Sequence, residues 1–163
     1  FILKSAKGSR KLGGRAPRKR GGKASKPGLS TDEQDTILIV RDRHGGTDDH
    51  IPPDLEGRTF QAFLAPVVAK DALLVSDGRA AYGQFAEAAG IRHMALNASV
   101  GERSLGSCHI QNVNAYQSRF KGWMALFKGV ATKYLASYLG WRRAIERDGN
   151  RLTPRHLIAE AMG

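Results

Sequence analysis

Ala72-Leu73-Leu74-Val75-Ser76-Asp77-Gly78 is an unbroken apolar run closed by a turn signal. Four apolar residues are too few for a helix, and a run without polar alternation reads as a strand buried on both faces. Such a strand belongs in the middle of a sheet covered by helices, and its neighbours agree. Upstream, Leu55, Thr59, Phe60, Phe63, Leu64 and Val67 recur at helical spacing, which predicts a helix over about 57–68. Downstream, a helix is expected from about Arg79 to Ala89, stopped by Gly90, and then a short strand over Arg92–Leu96.

Further out, the β-branched run Thr36–Arg41 reads as a strand, with Gly45-Gly46 at hairpin distance and a return strand through Thr47–Ile51 ahead of Pro52-Pro53. A loop is expected through Gly101 and Gly106. Val113, Tyr116, Phe120, Trp123, Met124 and Phe127 mark one face of a long helix over His109–Phe127. Gly129 breaks it, and Tyr134, Leu135, Tyr138, Leu139 and Trp141 mark another. Thr153-Pro154 reads as the cap and first residue of a short terminal helix. A strand ahead of residue 30 would complete the element order of a ribonuclease H-like α/β fold, a mixed sheet flanked by helices. Phe1-Ile2-Leu3 offers only a stub there, so the first strand is expected to be largely missing. The parts expected are a Gly/Pro-rich basic arm or loop over 1–30, a core over 31–145, and a tail with a short helix over 146–163.

The chain has 163 residues, room for one ordinary domain, and carries 26 Lys and Arg against 15 Asp and Glu, a net charge of +11. That charge is segregated. Residues 1–28 hold ten basic side chains (Lys4, Lys7, Arg10, Lys11, Arg15, Arg18, Lys19, Arg20, Lys23, Lys26) and no acid, while residues 103–143 hold seven basic and none acidic. Two basic blocks thus flank an acidic middle. Clustered Lys and Arg without apolar periodicity suit contact with a nucleic-acid backbone, because they release counterions without reading sequence. A solvated linker is the plainer alternative. In the second block His109, Arg119 and Lys133 are further candidates for DNA contact. The single cysteine, Cys108, excludes an internal disulfide framework and reads as a small buried side chain. No apolar run is long enough to span a membrane and no secretory signal is seen, which makes the cytoplasm the expected compartment.

Asp77 falls at the C-terminal tip of the most apolar strand, where open α/β sheets place ligands. Asn114 and Lys121 are seven residues apart on the long helix, close to two turns, so they share a face opposite the apolar one. The three could meet at one site, with Asp77 and Asn114 offering oxygen to Mg²⁺ or Mn²⁺ and Lys121 neutralising phosphate. Taken singly they have blander readings, Asp before Gly as a turn residue and Asn on a helix as a solvated one.

The stretches Leu74-Val75-Ser76-Asp77-Gly78, His109-Ile110-Gln111-Asn112-Val113-Asn114-Ala115-Tyr116, Ser118-Arg119-Phe120-Lys121-Gly122-Trp123-Met124 and Gly129-Val130-Ala131-Thr132-Lys133-Tyr134-Leu135 through Arg143 closely resemble bacterial insertion-sequence transposases, the ISXO-like branch of the DDE superfamily. The resemblance implies a metal-dependent core that cuts and joins double-stranded transposon and target DNA, with two divalent ions in the complete site and self-association on DNA. It maps the family's second Asp onto Asp77, its Asn or Glu onto Asn114 with 36 residues between, and its trailing Lys onto Lys121. Asn112 competes for the middle role but lacks a Lys at that spacing. The family's first Asp would fall just ahead of Phe1, and neither Asp35 nor Asp42 replaces it, since their strand is the second of the sheet. Two expectations follow: a catalytic transposase domain, or a truncated remnant that binds DNA without cutting it. On either, the 163-residue chain by itself is expected to be inactive.

Overall fold

The computed structural model describes residues 1–7, 33–97 and 104–162. Along the chain run β1 (Ile2–Leu3), β2 (Gln34–Asp35), β3 (Leu38–Arg41), β4 (Thr47–His50), α1 (Gly57–Leu64), β5 (Leu73–Ser76), α2 (Ala80–Ala89), β6 (Arg92–Ala95), β7 (Ser104–Leu105), β8 (Cys108–His109), α3 (Gln111–Ala125), α4 (Leu135–Asp148) and α5 (Pro154–Met162). The class is mixed α/β, as the hydrophobic pattern requires. Gly90 closes α2 in the left-handed conformation, φ 66°, its N–H reaching the carbonyls of Ala86 and Glu87.

The backbone pairs form four separate two-stranded ladders among the described residues, not one continuous sheet. β3 and β4 make the expected antiparallel hairpin, and β5 and β6 pair in parallel with Leu74 opposite His93. β1 pairs antiparallel with β2, Ile2 opposite Asp35 and Leu3 opposite Gln34. In that register β1 stops short of Leu38, so its two residues cannot bridge β3 to β5. The loop expected at Gly106 is instead the tip of a small hairpin, β7 with β8. His109 therefore ends a strand, and α3 starts at Gln111.

Side-chain alternation on β3 divides the interior in two. Leu38 and Val40 face a core with Phe60 and Leu64 of α1, Ala81 and Phe85 of α2, and Ile91. Ile37, one position out of phase, faces a second core of Phe120 and Met124 on α3 with Leu135 and Leu139 on α4. Trp123, Phe127, Tyr138 and Trp141 interlock beside it, with Trp123 and Trp141 edge to face at 5.3 Å between centroids. These rings close the α3/α4 interface, as the apolar stripe predicts.

Polar clamps tie the layers. Thr132, between α3 and α4, donates its hydroxyl to the buried Asp35 carboxylate (2.8 Å) and accepts from the Ser5 N–H (3.0 Å). Lys4 N–H donates to the Glu33 carbonyl at 2.8 Å, which continues the β1–β2 pairing by one further bond. On β4, the Asp49 side chain is 1% exposed and accepts from Arg143 of α4. Burial pushes its carboxyl up to about 6 despite Arg143.

A carboxyl raised from 3.8 to about 6 keeps its proton in the folded state after the unfolded chain has lost it. Its contribution to stability is therefore largest below about pH 4 and is lost as the pH rises through about 6. Urea unfolding of the wild type and of Asp49→Asn across this range should show the wild type losing roughly 1–3 kcal/mol relative to the variant between about pH 4 and 6. A pH-independent difference would overturn this reading of Asp49.

Candidate functional site

β5 ends at Ser76, and the chain turns through Asp77 and Gly78 into α2. The turn is built from hydrogen bonds that the apolar strand cannot provide. Ser76, 5% exposed, places its hydroxyl 2.9 Å from His93 Nε2 on the adjacent strand, and the same oxygen accepts the Gly78 N–H at 3.3 Å. Both hydrogen bonds are satisfied together when the hydroxyl donates to the imidazole. Gly78 takes φ +84°, a conformation that glycine adopts without steric cost. Asp77 is left exposed, its Oδ1 accepting the Arg79 N–H at 3.3 Å.

The turn opens onto a cavity of about 170 Å³ that lies between β3 and the end of β5. Its walls include Ile37, Leu38, Phe60 and Phe120, and its polar lining is Thr36, Asp77, Arg79, Tyr82, Gln117 and Lys121. Burial and the Asp77 charge push the Tyr82 hydroxyl up to about 12, so it stays protonated. Phe1 also lines the cavity.

Of the three residues singled out for chemistry, the fold brings two together. Asp77 and Lys121 line this one cavity. Asn114 is exposed on α3 and does not line it. Gln117, three residues after Asn114 and four before Lys121, takes the intervening place. That spacing on one helix face is the signal by which Gln117 could have been read from sequence. Arg79 and the Ser76–His93 pair carried no comparable signal, because they depend on how β5 and β6 align.

The DNA-contact candidates scatter. Arg119 is held by Glu146 of α4 at 2.6 Å, and Arg142 reaches the same carboxylate at 2.8 Å. His109 is half-buried in β8, and Lys133 lies over the Tyr134 ring, 4.8 Å from its centroid. Lys7 donates to the Gly129 carbonyl at 3.0 Å. Arg10, Lys11, Arg15, Arg18, Lys19, Arg20, Lys23 and Lys26 lie outside the described residues.

Two Mg²⁺ ions need several hard oxygen ligands, carboxylates above all. Among the described residues Asp77 is the one carboxylate on the cavity, and no three His, Cys, Asp or Glu side chains gather into a group able to hold a metal ion. With Arg79 and Lys121 alongside, this donor set does not fit a pair of divalent cations.

A family model described as ISXO2-like transposase domain matches residues 10–142. Neither the curated proteins nor the solved structures yield a match.

Ser76→Ala should remove the partner of both the Gly78 N–H and His93 Nε2 and cost roughly 1–3 kcal/mol, read from the midpoint of urea unfolding. A variant as stable as the wild type would show that the hydroxyl does not hold the turn.

Proposed function

Since the chain belongs to the ISXO2-like transposase domain family, we propose that it is the DNA cleavage and strand-transfer domain of an insertion-sequence transposase, built on a ribonuclease H-like core. Transposition is the family's function, and its chemistry depends in general on divalent metal. The observation that carries the finer reading is the meeting of Asp77 and Lys121, 44 positions apart in sequence, on one cavity. In this reading Asp77, Asn114 and Lys121 form the site. The reaction is hydrolysis of a phosphodiester, in which water adds to phosphorus and the 3′-oxygen leaves with a proton, followed by attack of the freed 3′-hydroxyl on a target phosphodiester, whose own 3′-oxygen leaves and takes up the proton that the attacking hydroxyl gives up. Lys121 offsets the negative charge of the phosphate during both steps. Asn114 comes to bear on the site only with further ligands in place. The basic part of the 1–30 arm that follows β1 contacts the duplex backbone, the core takes in β1 and runs to the end of α4 at Asp148, and the terminal helix belongs to the tail.

A second reading, a domain that binds DNA without cutting it, is favoured by the single carboxylate that the described residues place on the cavity. The register of β1 bears on the choice. A strand continued backward from Ile2, which faces Asp35, would run past Ile37 and Leu38 along the cavity wall. That is where the family resemblance calls for its first Asp.

The test compares the 163-residue chain with one extended ahead of Phe1 by a segment bearing that Asp, on labelled transposon-end DNA with Mg²⁺. The extended protein should cleave, lose activity with Asp77→Asn, fall sharply with Lys121→Ala, and retain some with Asn114→Asp, while the shorter chain should not cut. Cleavage by the shorter chain, or full activity of the extended Asp77→Asn protein, would sink the assignment.

Binding to duplex DNA should weaken by roughly 10³–10⁵ between about 50 and 200 mM salt if six to ten phosphates are neutralised. Replacing Arg15, Arg18, Lys19 and Arg20 by Gln should make the slope of log K against log salt shallower, by about 0.9 for each phosphate that the variant no longer neutralises. An unchanged slope would remove the arm from the interface.

A further inference from the structure

The cavity at Asp77 has the wrong polarity for a cation site. Its charged lining is one carboxylate, Asp77, against the Arg79 guanidinium and the Lys121 ammonium. Among the described residues none of the three is engaged in an ion pair, whereas Arg119, Arg142 and Arg143 on α3 and α4 are drawn to Glu146 and Asp49. Two uncompensated cations thus face a space with the donors of Gln117 and Tyr82 beside them and the rings of Phe60 and Phe120 behind. Two cations against one carboxylate leave this lining with a net positive charge, which favours an anion over a second cation.

We propose that this cavity binds a phosphate-type oxyanion without a divalent ion, held by Arg79 and Lys121 and opposed by Asp77. A guanidinium supplies paired donors that match two phosphate oxygens, and the ammonium supplies a point charge. The inference rests on the placement of Asp77 and Lys121 at one site but not on their catalytic role. Inorganic phosphate and the terminal phosphate of a nucleic-acid strand present the same group to these cations. Asp77 acts here with a sign opposite to that of a metal ligand: it weakens occupancy, and neutralising it strengthens occupancy.

The experiment is an amide NMR titration of the ¹⁵N-labelled 163-residue chain with inorganic phosphate, with MgCl₂ alone, and with a 5′-phosphorylated dinucleotide. Phosphate should shift the Gly78, Arg79 and Lys121 amides saturably, and Mg²⁺ alone should leave them in place. Lys121→Ala and Arg79→Ala should each weaken phosphate about tenfold or more, and Asp77→Asn should tighten it, with circular dichroism confirming that each variant is folded. Tighter binding of the dinucleotide at the same amides would assign the site to a strand end, and equal affinity would assign it to free phosphate. No saturable shift with either anion, or weaker phosphate binding in Asp77→Asn, would overturn the proposal. Saturation of the Gly78 shift by Mg²⁺ alone would overturn it in favour of a metal site. Cleavage by the extended protein is a separate readout, so failure of the anion site and failure of the transposase reading remain distinguishable.

Discussion

β3 and the residue before it pack in two opposite directions, and most of the architecture follows from satisfying both together. Leu38 and Val40 pack on the α1/α2 layer, while Ile37 and Arg41 turn toward α3 and α4. Arg41, on the α3 side, lies 5.2 Å from the centroid of the Tyr116 ring and 4.0 Å from Glu146, so the end of the strand is held by charge where its middle is held by apolar burial. A four-residue strand has little ladder of its own. Its position is fixed by the two cores, and the cavity lies along its edge.

Charge is handled differently inside and outside. The run 103–143 has no acid of its own, yet among the described residues its arginines Arg119, Arg142 and Arg143 are not left bare. Glu146, just beyond the run, takes Arg119 and Arg142, and Asp49 of β4 takes Arg143. Exposed ion pairs contribute little to stability, whereas Asp49 and Arg142 are largely buried and cannot lose a partner cheaply. Among the described residues, the arginines committed to the fold are therefore a different set from the cations outside ion pairs, to which Lys121 and Arg79 belong.

The site shows the same division between support and chemistry. Ser76 and His93 are inward, bonded and hold a turn, and Asp77 is outward and accepts the Arg79 N–H. Fixing the turn from beneath leaves the carboxylate in a set position while its lone pairs stay accessible.

Element types and order were legible in the sequence because they depend on local spacing. The apolar run at Leu73–Ser76, the glycine stop at Gly90, the Gly45-Gly46 hairpin and the stripe from Val113 to Phe127 each encode their conformation within a few residues. The same locality fixed Asn114 and Lys121 at two-turn spacing. What local spacing cannot carry is the relation between segments distant in the chain. Only the tertiary structure places Lys121 with Asp77 and Gln117 rather than Asn114 on the cavity, pairs Ser76 with His93, commits Arg119 to Glu146, and turns His109 into the end of a strand. Each of those outcomes depends on the register of a ladder or the packing of one helix on another, which is settled by the two cores filling together and not by any residue's neighbours in sequence.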